Sequence, residues 1–153
     1  MSRFGLFSAG ALSFAIPLLQ IKKILQDSRS FALPCLPAAV TGVLVDEDRP
    51  VPVLDVELLH DNSTCGEKSY HYHVLVESEY GTLALPADLS VRIVSEQKGT
   101  ITTALKDYPP WVVGIFYCQE MKHLILNIDF LAIEMTQGFW RSTSEADAAR
   151  RHQ

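Results

Sequence analysis

The frame Pro37, Gly42, Leu54, Asp55, Val56, Glu57 and Leu59 returns later in the chain as Pro109, Gly114, Leu126, Asn127, Ile128, Asp129 and Leu131, at one constant spacing. A second echo lies upstream: Ala15-Ile16-Pro17 with Lys23-Ile24 is answered by Ala84-Leu85-Pro86 with Arg92-Ile93, at a slightly different shift. A short β unit buries little surface alone and gains a core by packing on its copy, so the recurrence points to one unit built twice. Its centre is Gly42 to Val56, two β-branched runs folded back around an acidic tip at Asp46, Glu47 and Asp48. Pro50 and Pro52 confine the returning strand to an edge or strand-end role.

With 153 residues, 48% of them hydrophobic and 20% charged, the chain suits one globular domain or two small barrels sharing a core. We expect that domain over residues 1–136, its second pseudo-repeated subdomain starting near residue 70, with 137–153 as a C-terminal tail in which Glu145 to Gln153 reads as a frayed helix or a disordered end. A formal net charge of −5 argues against a nucleic-acid partner, and no polybasic run marks a membrane surface. Three widely spaced cysteines, Cys35, Cys65 and Cys118, fit reduced thiols in a cytosolic protein better than a disulfide framework.

The uncharged stretch Phe4 to Ile21 behind Arg3 imitates the apolar region of a signal peptide. Gly5, Gly10 and Pro17 interrupt it, and Leu12, Phe14 and Ile16 alternate as a half-buried strand does, so a hairpin turning at Ala9-Gly10 is the better reading. Leu18 to Leu25 suits either a short helix or a helical turn entering a strand. Asp55 is placed to cap a short helix through Leu59. Strands follow at Tyr70 to Glu77, Thr82 to Leu85, Ser90 to Val94 and Thr100 to Ala104. Trp111 to Tyr117 and His123 to Ile128 then repeat the central hairpin around Gln119-Glu120.

Metal-ligand chemistry is confined to His60, Asp61, Cys65, His71 and His73, whose spacing matches no zinc module; exposed strand histidines beside a polar loop explain it more simply. Neither a nucleophile elbow, a glycine-rich phosphate loop nor a Cys and His nucleophile arrangement is present, which argues against an enzyme. Of the aromatics, Trp111 and Phe116 fall in strand pattern and read as core; Phe139 and Trp140 lie beyond the last clear strand.

In order, the opening hairpin ending Phe14-Ala15-Ile16, the Ile21-Lys-Lys-Ile24 box, Leu33 to Pro37, the Gly42-Val-Leu to Pro52-Val-Leu-Asp-Val56 frame, Gly114-Ile and Leu124-Ile-Leu-Asn-Ile-Asp129 resemble the CheW-like chemotaxis coupling domain over Phe4 to Ile133. The resemblance implies a mainly β fold with short helices: two SH3-like five-stranded β-barrel subdomains sharing a hydrophobic core. It implies a cytoplasmic, non-enzymatic adaptor without cofactors, working at membrane-associated arrays without inserting in the membrane. Its partners would be the cytoplasmic tip of a chemoreceptor and the regulatory domain of a CheA-type histidine kinase. The residues it implies for partner binding are Ile21, Lys23 and Ile24 on one strand and Val45, Asp46, Glu47 and Asp48 at the facing turn. Where that family usually reads Asn-Leu-Arg-Gly this chain has Val45-Asp46-Glu47-Asp48, and Lys23 replaces the usual glutamate, so the two positions exchange charge. A reversed Lys23–Glu47 pair selecting a different partner is one reading and a solvated acidic turn is the other. A metal-binding sensor, or a diverged interaction module that has lost kinase coupling, are the alternatives for the whole protein.

Overall fold

Runs such as Val74-Leu75-Val76 and Val51-Pro-Val-Leu54 leave no position for a wet side, so strands carrying them must bury both faces. They do so in the computed structural model, which describes residues 2–36, 39–56, 70–103 and 106–136. These contain strands β1 (Arg3–Ala9), β2 (Leu12–Pro17), β3 (Ile21–Gln26), β4 (Val40–Asp46), β5 (Arg49–Leu54), β6 (Tyr72–Glu77), β7 (Thr82–Ala87), β8 (Arg92–Ser95), β9 (Thr100–Thr102), β10 (Val112–Cys118) and β11 (Met121–Leu126). Leu18–Gln20 and Glu96–Lys98 are single 3-10 turns, and a short helix at Ile128–Phe130 runs into a π turn at Leu131–Met135. The stretch Phe4 to Ile21 is spent on β1, β2 and the start of β3, with Phe4, Leu6, Phe7, Phe14 and Ile16 buried.

The strands form two mixed sheets, one in the order β8-β1-β2-β11-β10-β9 and one in the order β3-β6-β7-β5-β4. In the five-stranded sheet the end strands meet: Phe31, just beyond β3, exchanges backbone hydrogen bonds of 2.7 and 2.8 Å with Val43 on β4. In the six-stranded sheet the turn Glu96–Lys98 joins the two end strands. We call these the smaller and the larger barrel. The larger thus carries one strand more than the five expected, because the position that is a single bridge at Phe31 in one copy is the strand β9 in the other.

Strands from both sides of residue 70 enter each barrel. The larger barrel joins hairpin β1–β2 of the first copy to β8–β11 of the second, and the smaller joins β6–β7 of the second to β3, β4 and β5 of the first. The exchange is sealed by parallel contacts, Leu124 beside Phe14 in one barrel and Val53 beside Ala84 in the other. Strand β5 is therefore interior, against the edge role its prolines suggested. Pro50 and Pro52 pair with Val45 and Val43 on β4, in the part of β5 that precedes its contact with β7 at Val53.

Alternation then sorts the core into layers. Phe14 and Ile16, Val74 and Val76, Leu83 and Leu85, Trp111, Ile115, Leu124 and Leu126 meet between the barrels in one shared core. The opposite faces fill each barrel separately, and their members correspond. Leu44, Val53, Leu75, Ala84 and Leu25 inside the smaller barrel occupy the places of Phe116, Ile125, Leu6, Ala15 and Val94 inside the larger. The strand registers match likewise: Lys23 lies opposite Leu75 as Arg92 lies opposite Leu6, and Asp46 closes its hairpin opposite Arg49 as Cys118 does opposite Met121.

Candidate functional site

Strand β3 reaches Lys23 through a bulge. Ile21 pairs with Val76 and Lys23 with the adjacent Leu75, which leaves Lys22 as the extra residue and resets the alternation. Ile21 accordingly packs on the shared core, while Lys23 and Leu25 turn toward the inside of the smaller barrel and Ile24 outward, 39% exposed. On the facing strand Leu44 points in, Val45 out at 61% exposure, and Asp46 in again. Glu47 and Asp48 make the turn with φ of 51° and 61°, the left-handed pair of a two-residue hairpin that matches the twist of its strands. Gln119 and Glu120 repeat it at 52° and 64°.

The sequence-predicted residues are thereby brought together. The Lys23 ammonium donates to Asp46 Oδ1 at 2.9 Å and to Glu47 Oε1 at 3.3 Å. The charge-exchanged pair exists, but its closer acid is Asp46, whose side chain is 10% exposed against 68% for Glu47. The hydrogen bond to Asp46 is the main cause of the raised pKa of Lys23, outweighing its desolvation. Lys22, which sequence reasoning passed over, reaches Glu77 at 3.6 Å and Glu47 at 4.0 Å. The signal for it was the doubled lysine, but period-two reading assigns only one of two neighbours to a face. Asp48 is exposed. The result is a ridge of exposed Ile24 and Val45 beside an ionic network that bridges the two ends of the sheet.

The metal grouping does not assemble among the described residues, where no cluster of three ligands occurs. His60, Asp61 and Cys65 lie outside them, as do Phe139, Trp140, the tail and the helix that Asp55 was to cap. Asp55 itself is buried and accepts from the Tyr70 hydroxyl at 3.4 Å. Its counterpart Asn127 does cap, accepting from the Phe130 amide at 3.1 Å. Trp111 and Phe116 are core, as their pattern suggested. His71 is exposed, 3.7 Å from Asp27. His73 corrects the expectation of exposed strand histidines: it is buried inside the smaller barrel, its Nδ1 2.9 Å from the Ser28 hydroxyl, since the face it shares with Leu75 is an interior one.

A second buried imidazole, His123, takes the place inside the larger barrel that Val51 holds in the smaller, and neither ring nitrogen has a partner. Burial lowers the pKa of both histidines, and Arg92 lowers that of His123 further. Each folded pKa thus lies below the unfolded value of about 6.5, so stability is full above that pH and falls as pH drops from there toward the folded values. Unfolding free energies from urea titrations should decline between neutral pH and pH of about 5, by up to about 1.4 kcal/mol per pH unit for each histidine, and His123→Leu should flatten the decline. An unchanged slope in that variant would assign the acid sensitivity elsewhere.

With this geometry in hand, a family model for the CheW-like domain matches residues 3–134. Among solved structures, the scaffolding protein TtCheW from Thermoanaerobacter tengcongensis superposes with a TM-score of 0.70 over 85% of this chain and 91% of that one, at 16% sequence identity. The fold is shared. No curated protein matches the chain in sequence. Among the described residues no helix is long and apolar enough to cross a membrane.

Proposed function

The chain belongs to the family of CheW-like domains, and we propose that it is a non-enzymatic chemotaxis adaptor that couples a chemoreceptor tip to the regulatory domain of a CheA-type histidine kinase. One observation supports this reading at the level of residues. Ile24 and Val45 stand exposed on facing strands with Lys23, Asp46 and Glu47 in one network between them, the composition of an apolar anchor beside charges that set partner choice. In this reading the receptor helix packs on Ile21, Ile24 and Val45, and the exchanged charges at Lys23, Glu47 and Asp48 select a receptor complementary to them. The setting is the cytoplasmic face of a receptor array.

Calorimetric titration of the purified protein against receptor cytoplasmic fragments and against the kinase regulatory domain tests it. Binding to both is expected, with Lys23→Glu or Glu47→Lys weakening the receptor complex about ten-fold and the double reversal restoring it. A double variant as weak as the singles would remove the pair from partner choice. Binding of the folded protein to neither partner would end the coupling reading.

A further inference from the structure

The two barrel mouths are built on one plan and finished differently. At the mouth of the smaller barrel Lys23 is neutralised from within by Asp46 at 2.9 Å, with Glu47 beside it, so the ion pair caps the apolar interior of Leu25, Leu44 and Val51. At the mouth of the larger barrel Arg92 stands in the position of Lys23, but Cys118 replaces Asp46 and Gln119 replaces Glu47. Among the described residues Arg92 keeps only a hydrogen bond of 3.0 Å to the neutral Gln119 amide oxygen. Among the described residues neither Arg92 nor Lys98 has a carboxylate within ion-pair distance, and a cavity of about 320 Å³ opens there, lined by Ile93, Val94, Ser95, Lys98, Cys118 and Gln119. On the inner face two residues along from Met121, the partner of Cys118, lies His123, 4% exposed with both ring nitrogens unpartnered.

We propose that this mouth is a binding site for a carboxylate presented by a partner protein, an aspartate or glutamate beside an apolar residue, which supplies in trans the acid that Asp46 supplies in cis to the smaller barrel. Lys98 on the cavity wall and Arg92, hydrogen-bonded to the wall residue Gln119, give the positive charge, and Ile93, 57% exposed, gives the apolar rim. A guanidinium suits the task, since its planar fork takes both oxygens of a carboxylate. Arg92 also gains by it: among the described residues no carboxylate pairs with its charge, which acts on the buried His123. The site lies on the larger barrel, apart from the Ile24 and Val45 ridge, and its existence does not depend on receptor binding.

The test is a titration of the full chain, labelled at arginine and lysine side chains, with the acetylated and amidated peptide Ala-Leu-Glu-Leu-Ala, followed by nuclear magnetic resonance. Saturable shifts at the Arg92 Nε–H and the Lys98 ammonium are expected at millimolar peptide. The twin peptide with Gln in place of Glu should leave them unmoved, and Arg92→Gln should weaken binding about ten-fold or more. Cys118→Asp, which rebuilds the internal acid, should move the Arg92 Nε–H without peptide and abolish the titration. Should that variant fail to fold, Arg92→Gln, an exposed position, still decides. Absence of saturable shifts, equal shifts with the Gln peptide, or unaltered affinity in Arg92→Gln would overturn the proposal.

Discussion

Phe14→Ala should cost about 3–5 kcal/mol, a large share of the about 5–15 kcal/mol that holds a domain of this size together. Phe14 is 1% exposed, sits on a strand flanked on both sides by β1 and β11, and packs on Phe7 with ring centroids 5.4 Å apart. It belongs to the layer that both barrels share, so the cavity left by its ring lies against strands of both sheets and neither barrel can relax around it alone. We therefore expect one cooperative urea transition at lower midpoint, with the fluorescence of buried Trp111, in the same layer, and far-ultraviolet circular dichroism moving together. A loss below about 1 kcal/mol, or two separated transitions, would mean that the barrels are independent units and the shared core a contact between them.

Gly99→Ala should destabilise by about 2–3 kcal/mol, although the exchange would ordinarily add up to about 1 kcal/mol by stiffening the unfolded chain. The backbone at Gly99 is extended, with φ of −152°, so alanine meets no conformational objection. The obstacle is space. A Cβ there would collide with the backbone carbonyl oxygen of Tyr117 and stand 2.7 and 2.8 Å from two carbons of the buried Phe116 ring. Neither can yield: the carbonyl belongs to a paired strand, and Phe116 fills the inside of the larger barrel against Phe4 at 4.9 Å between centroids. Chemical denaturation of the variant decides it, and a midpoint at or above the parent's would show that β9 shifts freely.

Much of this fold was legible because its signals are local. The hairpin at Gly10, with φ of 62°, and the recurrent frame from Gly42 and Gly114 follow from turn chemistry and from alternation within a few residues. The frame even repeats its irregularity, since both Gly42 and Gly114 follow a break in register after Val40 and Val112. What stayed hidden is non-local. Nothing in Ala15 or Leu124 announces that β2 will lie beside β11 and not β5, because pairing across copies and pairing within a copy bury the same side chains. His73 reads as an exposed strand histidine because alternation says which residues share a side and not whether that side is wet. At the candidate site Lys23 and Glu47 stand out only against the pattern of the family the chain resembles, whereas the inward turn of Lys23 depends on the bulge at Lys22, which only the register against β6 reveals.

The exchange of hairpins between copies also sets a timetable for synthesis. The smaller barrel has all its strands once Ala87 has left the ribosome, since its last member is β7. The larger cannot close until Met121–Leu126 emerge, yet its first hairpin, Arg3–Pro17, is made before any strand of the smaller barrel. Phe4, Leu6 and Phe14 must therefore wait for partners more than a hundred residues away, exposed to every competing apolar surface in the meantime. Val74, Val76, Leu83 and Leu85, all made by the time Ala87 emerges, are the shared-core partners that can cover Phe14 and Ile16 before β11 arrives.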